Sequence, residues 1–95
     1  MAQSTEILPN GLQLLQDDRF CKLGQDSVLL SAFAKPRRNA KLLDLGCGTG
    51  ALALLVWRPD LKITGLELQD GPLDLFRQSI AANELENVTA LQGDL

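Results

Sequence analysis

Residues 42–50 of this 95-residue chain read Leu-Leu-Asp-Leu-Gly-Cys-Gly-Thr-Gly, and they restrict the fold more than any other stretch. Leu42, Leu43 and Leu45 form a short apolar run of the kind that makes a parallel strand buried on both faces. Gly46, Gly48 and Gly50 stop that strand, and an apolar segment starting at Ala51 opens a helix. Without Cβ atoms the backbone can turn tightly and approach a ligand closely. Strand, glycine loop and helix together set the loop and first helical N–H groups facing outward at the carboxyl end of the strand. Open α/β sheets take their ligands there. An ordinary strand-to-helix turn rarely needs three glycines, so the stretch is read as a ligand loop.

The remaining segments supply neighbours for this strand. Residues 7–16 carry an Asn10-Gly11 turn signal between apolar residues, which predicts a small hairpin or a turn into a short strand. Residues 17–19 read as a second turn. Asp26 is placed to cap a helix over 27–34 with Val28, Leu29, Ala32 and Phe33 on one face, ended by Pro36. The helix from Ala51 is expected to stop near Trp57, ahead of Pro59, and residues 62–67 form a second strand. Gly71 and Pro72 begin a further helix with Leu73, Phe76, Ile80, Ala81 and Leu85 as its buried stripe, and a third strand covers 88–91. The chain therefore divides into a hairpin-and-helix preface (1–38) and a β-α-β-α-β unit (39–95). Right-handed crossovers make this an α/β fold with parallel strands in the order 3-2-1, the glycine-loop strand at one edge. An apolar strand at an open edge invites association.

Composition narrows the chemistry. Two cysteines, Cys21 and Cys47, cannot form a disulfide framework, and the absence of histidine disfavours a zinc site and any histidine base. No metal is expected. Cys47 lies inside the glycine loop, where a small side chain suits packing. The N-terminus lacks the pattern of a signal peptide, and no apolar run approaches membrane-spanning length, so a cytoplasmic protein without membrane contact is expected. The net charge of −3 is uneven: residues 1–41 hold six basic and four acidic side chains, residues 42–95 three and eight. Lys35, Arg37, Arg38 and Lys41 form a basic cluster that is either a solvated loop or a phosphate contact.

Asp44, Glu67 and Asp94 stand at or just beyond strand ends, so a parallel sheet brings them to the rim that carries the glycine loop. Glu67 lies 21 residues past Gly46, the separation at which an acidic residue grips a ribose in dinucleotide-binding folds. A carboxylate can accept from both ribose hydroxyls, and Asp94 could accept from an adenine amine. Gly46, Gly48, Gly50 and Ala51 can be read as an NAD fingerprint or as the Asp-x-Gly-x-Gly-x-Gly loop of S-adenosylmethionine enzymes. Asp44 would repel a pyrophosphate and suits an ammonium or sulfonium, which favours the second reading.

The stretch Leu-Asp-Leu-Gly-Cys-Gly-Thr-Gly resembles the first motif of class I S-adenosylmethionine-dependent methyltransferases, and Gly65-Leu66-Glu67 and Gly93-Asp94-Leu95 look like the second and third. Gln16-Asp17-Asp18-Arg19-Phe20, Gly24-Gln25-Asp26-Ser27-Val28-Leu29-Leu30 and Glu67-Leu68-Gln69, with Ser79 and Asn83, look like the bacterial tRNA (valine) adenine-N6 methyltransferases. The related rRNA guanine-N2 and protein-glutamine methyltransferases share much of this pattern. The resemblance implies the N-terminal half of a Rossmann-like fold with S-adenosylmethionine as cofactor and tRNA as substrate. It gives Glu67 the ribose and Asp94, with Leu95 beside it, the adenine; Asp44, Gly46, Cys47, Gly48 and Gly50 take the methionine end. Asp26 would lie near the cofactor, or is simply a helix N-cap. Such enzymes hold the target amine with an Asn/Asp-Pro-Pro-Tyr/Phe motif after a fourth strand, and this sequence ends before one. No catalytic residue is therefore expected in it, and the piece by itself is expected to be inactive. The rival readings are a non-catalytic interaction module that self-associates through its open sheet edge, and a fragment of a nicotinamide-dependent dehydrogenase.

Overall fold

The computed structural model describes residues 3–20 and 35–94. The expected helix over 27–34, with Asp26, and the final residue Leu95 lie outside the described residues. Seven elements follow in order: β1 (Gln3–Ile7), β2 (Gln13–Asp17), β3 (Lys41–Leu45), α1 (Ala51–Leu55), β4 (Lys62–Glu67), α2 (Asp70–Ala82) and β5 (Val88–Gln92).

The Asn10-Gly11 signal produces the hairpin. β1 and β2 pair antiparallel, with Ile7 opposite Gln13. Leu8 N–H donates to Leu12 O at 2.8 Å, Gly11 N–H to Leu8 O at 2.9 Å and Leu12 N–H to the Asn10 Oδ1 at 3.2 Å. Asn10 also donates through Nδ2 to Leu54 O at 2.7 Å, which satisfies a carbonyl at the end of α1.

β3, β4 and β5 form a parallel sheet in the expected order β3-β4-β5, with β3 at an edge among the described residues. Side chains alternate between faces. Leu42, Ile63, Gly65, Val88 and Ala90 share the face onto which Ala53, Leu54, Leu73 and Phe76 of the helices pack. The opposite face carries Leu45, Leu66 and Leu91 in one register row, with Leu43 beside it. Leu43, Leu45 and Leu91 are 63%, 52% and 48% exposed. The expectation that β3 is buried on both faces is thus corrected. Two successive right-handed crossovers that advance in the same direction set α1 and α2 on the same side of the sheet, and the described residues leave the other side open.

α1 ends at Leu55, short of Trp57, and α2 begins at Asp70, one residue ahead of Gly71. The buried residues of α2 are Pro72, Leu73, Leu75, Phe76 and Ser79, a wider face than the predicted stripe; Ile80 is half-buried and Ala81 is exposed. The width arises because α2 contacts the sheet at β4 and β5 and also the hairpin strand β2. Leu15 N–H donates to the Ser79 Oγ at 2.9 Å. The Asn83 side chain accepts from Gln13 N–H at 2.8 Å and donates to Gln13 O and Ser79 O, both at 2.7 Å. One amide thus caps α2 and fastens the hairpin to it.

Candidate functional site at the carboxyl rim of the sheet

The glycine loop leaves β3 and bends back over β4. Gly46 N–H and Cys47 N–H both donate to Leu66 O, at 2.8 and 3.0 Å, and Gly50 N–H donates to Cys47 O at 2.9 Å. Gly48 N–H donates to the Glu67 carboxylate (Oε1) at 2.8 Å. The loop N–H groups at 46, 47, 48 and 50 are therefore engaged within the protein. That corrects the expectation that the loop N–H groups face outward for a ligand.

The three glycines differ in what surrounds them. At Gly46 (φ +68°) and Gly48 (φ +56°) the space where a Cβ would stand is open. At Gly50 (φ +87°) a Cβ would stand 2.1 Å from Phe76 Cδ1, and at Gly65 it would meet Phe76 Cε2 at 2.5 Å and Cys47 Sγ at 2.8 Å. The Phe76 ring, fully buried, fills the room that these two glycines leave. Gly50 thus serves loop-to-helix packing, while Gly46 and Gly48 leave a ligand free approach.

Glu67 ends β4 on the helix-bearing face and is half-buried. Its Oε1 accepts from Gly48 N–H and its Oε2 from Gln69 N–H at 3.0 Å. Each oxygen of a carboxylate offers about two acceptor positions, so each retains one for a hydroxyl of a ligand. Gly93 N–H donates to Glu67 O at 3.1 Å, which brings the end of β5 alongside. A cleft of about 120 Å³ results, lined by Gly46, Leu66, Glu67, Leu68, Gly93 and Asp94. Three residues selected from sequence, Gly46, Glu67 and Asp94, meet there although they come from three segments. Leu66, Leu68 and Gly93 line it too and were not singled out as site residues. Leu68, an exposed leucine directly after the acidic strand end, was the available signal. The Gln92 amide donates to Leu68 O at 3.2 Å and to the Asp70 carboxylate, which ties the end of β5 to the segment after β4.

Asp44 stands apart from this cleft. Its register partner is Gly65, on the helix side, and it lines a largely apolar cavity of about 290 Å³ along the edge of β3 with Leu42, Leu52, Val56 and Ile63. Burial pushes its carboxyl pKa up. The Cys47 thiol is buried, and its pKa is pushed up to about 12 by burial, then by the charges of Asp44 and Glu67. It is therefore a thiol at ordinary pH and no nucleophile, which fits the packing role. The preface reaches the rim as well. The Asp17 carboxylate, fully buried, holds Arg19 through two contacts (3.1 and 2.9 Å), and the Arg19 guanidinium lies 5.3 Å from the centre of the Phe20 ring. Phe20 packs so closely against Gly71, at the start of α2, that a Cβ there would meet its Cζ at 2.2 Å.

The profile of the Methyltransferase small domain family matches residues 20–95. The chain belongs to that family. It is 37% identical over 73 residues to the tRNA1(Val) (adenine(37)-N6)-methyltransferase of Pseudoalteromonas translucida, a match that covers 75% of this chain and 32% of that protein. The enzyme of the same name from Yersinia enterocolitica is 41% identical over 51 residues, which is 50% of this chain and 20% of that one. The chain thus spans a fifth to a third of the length of such relatives. Among solved structures, P. horikoshii TYW2 in complex with MeSAdo superposes with a TM-score of 0.76 at 18% identity, covering 97% of this chain and 36% of that one. Coclaurine N-methyltransferase, bound to N-methylheliamine and SAH, gives 0.64 at 25% identity, covering 73% and 21%. The α/β architecture is that of the class I methyltransferases. In this methyltransferase domain the described residues contain no group of three or more His, Cys, Asp or Glu that could hold a metal ion, and no helix long and apolar enough to cross a membrane.

Proposed function

We propose that this domain binds S-adenosylmethionine at the carboxyl rim and serves as the cofactor-binding part of a methyltransferase that acts on an adenine amine of tRNA. The meeting of Gly46, Glu67 and Asp94 in one cleft at the ends of three parallel strands carries this reading. The donor set fits the cofactor. Glu67 keeps one acceptor position on each oxygen for the two ribose hydroxyls, and Asp94 is in reach of an adenine amine across the cleft. Gly46 and Gly48 leave room for the methionine end; Asp44, outside the cleft, enters the proposal through the motif and through its charge, which reaches the loop at Cys47. Cys47 belongs to that loop through packing, Gly50 through its seat on Phe76. Asp26 and Leu95 stay in the proposal as neighbours of the cofactor on the strength of the motif alone. An acidic rim suits a sulfonium and an ammonium and repels the pyrophosphate of NAD.

The cofactor, when bound, supplies an activated methyl group. The chain's contribution is orientation, since methyl transfer depends on in-line placement more than on acid–base chemistry. The 95 residues contain no Asn-Pro-Pro-Tyr-like segment to hold an acceptor amine, so by themselves they bind without turning over. The adenine assignment draws support from the names of relatives similar in sequence, and Phe20 of the 1–38 preface, packed at Gly71, braces the rim formed by 39–95.

Calorimetric titration with S-adenosylmethionine and with NAD tests this. Binding of the first alone is expected, weakened by roughly 10-fold or more in Glu67→Ala, in line with the loss of charged hydrogen bonds. Binding of NAD instead would overturn the reading. A second reading, association of two copies through the open edge at β3, is favoured by its exposed Leu43 and Leu45. Sedimentation at high concentration tests it: a dimer is expected, and a clean monomer removes it.

A further inference from the structure

The end of the sheet opposite the cleft carries the reverse charge. Lys35, Arg37, Arg38, Lys41 and Lys62 are all exposed there, and none forms an ion pair among the described residues. Lys41 and Lys62 are register partners on adjacent parallel strands, so two like charges leave the same face from backbones about 4.8 Å apart. Such a pair costs stability unless an anion joins it. The carboxylate nearest in the chain fold, Asp60, is already committed. It accepts from Arg58 Nε at 3.0 Å and Nη2 at 2.9 Å and from Asn39 N–H at 2.8 Å. Arg58 holds its pKa well below the usual carboxylate range. Among the described residues, Glu84 and Glu86 are also at this end, in the turn ahead of β5 around a shallow cavity with Trp57 and Pro59, and neither forms an ion pair with a described lysine or arginine.

The loop that bears the cations is fixed. Arg58 donates to Pro36 O at 3.0 Å and to Arg37 O at 3.2 Å, and Asn39 adopts a left-handed φ of +61° at the bend. The backbone of residues 36–39 is thus tied to the turn at 58–60, and the Arg37 and Arg38 side chains are left to solvent. The five residues of β3 set this surface roughly 15 Å from the cleft, at 3.3 Å per residue. A domain of net charge −3 that gathers five unpaired cations at one end is built for an anion larger than a single phosphate.

We propose that Lys35, Arg37, Arg38, Lys41 and Lys62 form a docking surface for the phosphate backbone of the RNA whose base is presented to the carboxyl rim. This rests on the methyltransferase reading and names the surface that orients its acceptor. Phosphate contacts fix register and orientation, and a base must be unstacked to reach a cofactor, so grip and chemistry belong at separate places. Arg58 is the positioning residue of this surface, acting through the backbone of the loop.

Fluorescence anisotropy with a labelled RNA stem-loop carrying an adenine in its loop tests the proposal. The logarithm of affinity is expected to fall with the logarithm of salt at a slope of roughly −3 to −4, the value for four or five displaced counterions. The combined variant Lys35→Gln, Arg37→Gln, Arg38→Gln, Lys41→Gln, Lys62→Gln should flatten that slope to about −1 or less and weaken binding about 100-fold at moderate salt. Its calorimetric affinity for S-adenosylmethionine should stay unchanged, which also shows that it is folded. Unaltered RNA affinity or slope in that folded variant overturns the docking surface and leaves the cofactor reading standing. Binding by the unaltered chain to phosphatidylserine vesicles but not to the RNA overturns it equally.

Discussion

Phe76 explains the last glycine of the loop without any ligand. Its ring occupies the space that Cβ atoms at Gly50 and Gly65 would need, and Gly50 also stands at φ +87°. Gly50→Ala therefore combines overpacking with an unfavourable backbone, and a loss of about 2–4 kcal/mol is expected in urea unfolding. Gly46→Ala meets open space and should cost about 1 kcal/mol through its φ alone. Equal losses at the two positions would contradict this division of labour. Cys47 gives a pH-dependent counterpart. The folded protein disfavours its thiolate, holding the pKa near about 12 rather than 9.0, so its contribution is full below the ordinary thiol pKa and disappears as pH rises toward the folded value. Between about pH 8 and pH 11 the unfolding free energy should drop more for the natural chain than for Cys47→Ala. Parallel pH curves would show that the thiol titrates freely.

At the scale of elements, Asn83 joins α2 to the hairpin with one acceptor and one donor bond to Gln13. Asn83→Ala leaves Gln13 N–H without its side-chain acceptor and should destabilise by about 1–3 kcal/mol, with faster hydrogen exchange at Gln13. An unchanged exchange rate there would mean that the hairpin is held by packing alone. The hairpin, the three strands and their order were legible because they depend on local signals: Asn10-Gly11, two glycine-ended strands and the handedness of crossovers. The acidic residues at the ends of β4 and β5 were legible for the same reason, since strand ends share a rim. What escaped depends on contacts far apart in the chain. The burial of Ser79 comes with β2, more than 50 residues earlier in sequence, whose Leu15 N–H donates to its Oγ, and no periodicity within α2 announces it. The exposure of Leu43 and Leu45 follows from both helices lying on one face, which a run of leucines cannot express.

For the whole molecule, the organising feature is polarity along the strands. Asp94, Glu67 and Asp70 gather at the carboxyl ends, while Lys35, Arg37, Arg38, Lys41 and Lys62 gather at the amino ends. A sulfonium cofactor at one end and a polyanionic acceptor held from the other would both follow the field of the domain. Cofactor affinity should then fall modestly with salt, as a single net positive charge is screened, whereas RNA affinity should fall steeply. The claim on which everything else depends is that the rim cleft holds S-adenosylmethionine. An amide-resolved NMR titration of the chain with that cofactor tests it most directly. Shifts concentrated at Gly46, Gly48, Leu68 and Asp94, with the β1–β2 hairpin silent, are the result predicted. Shifts that cluster instead along the apolar cavity at the edge of β3, or none in a folded chain, would contradict it.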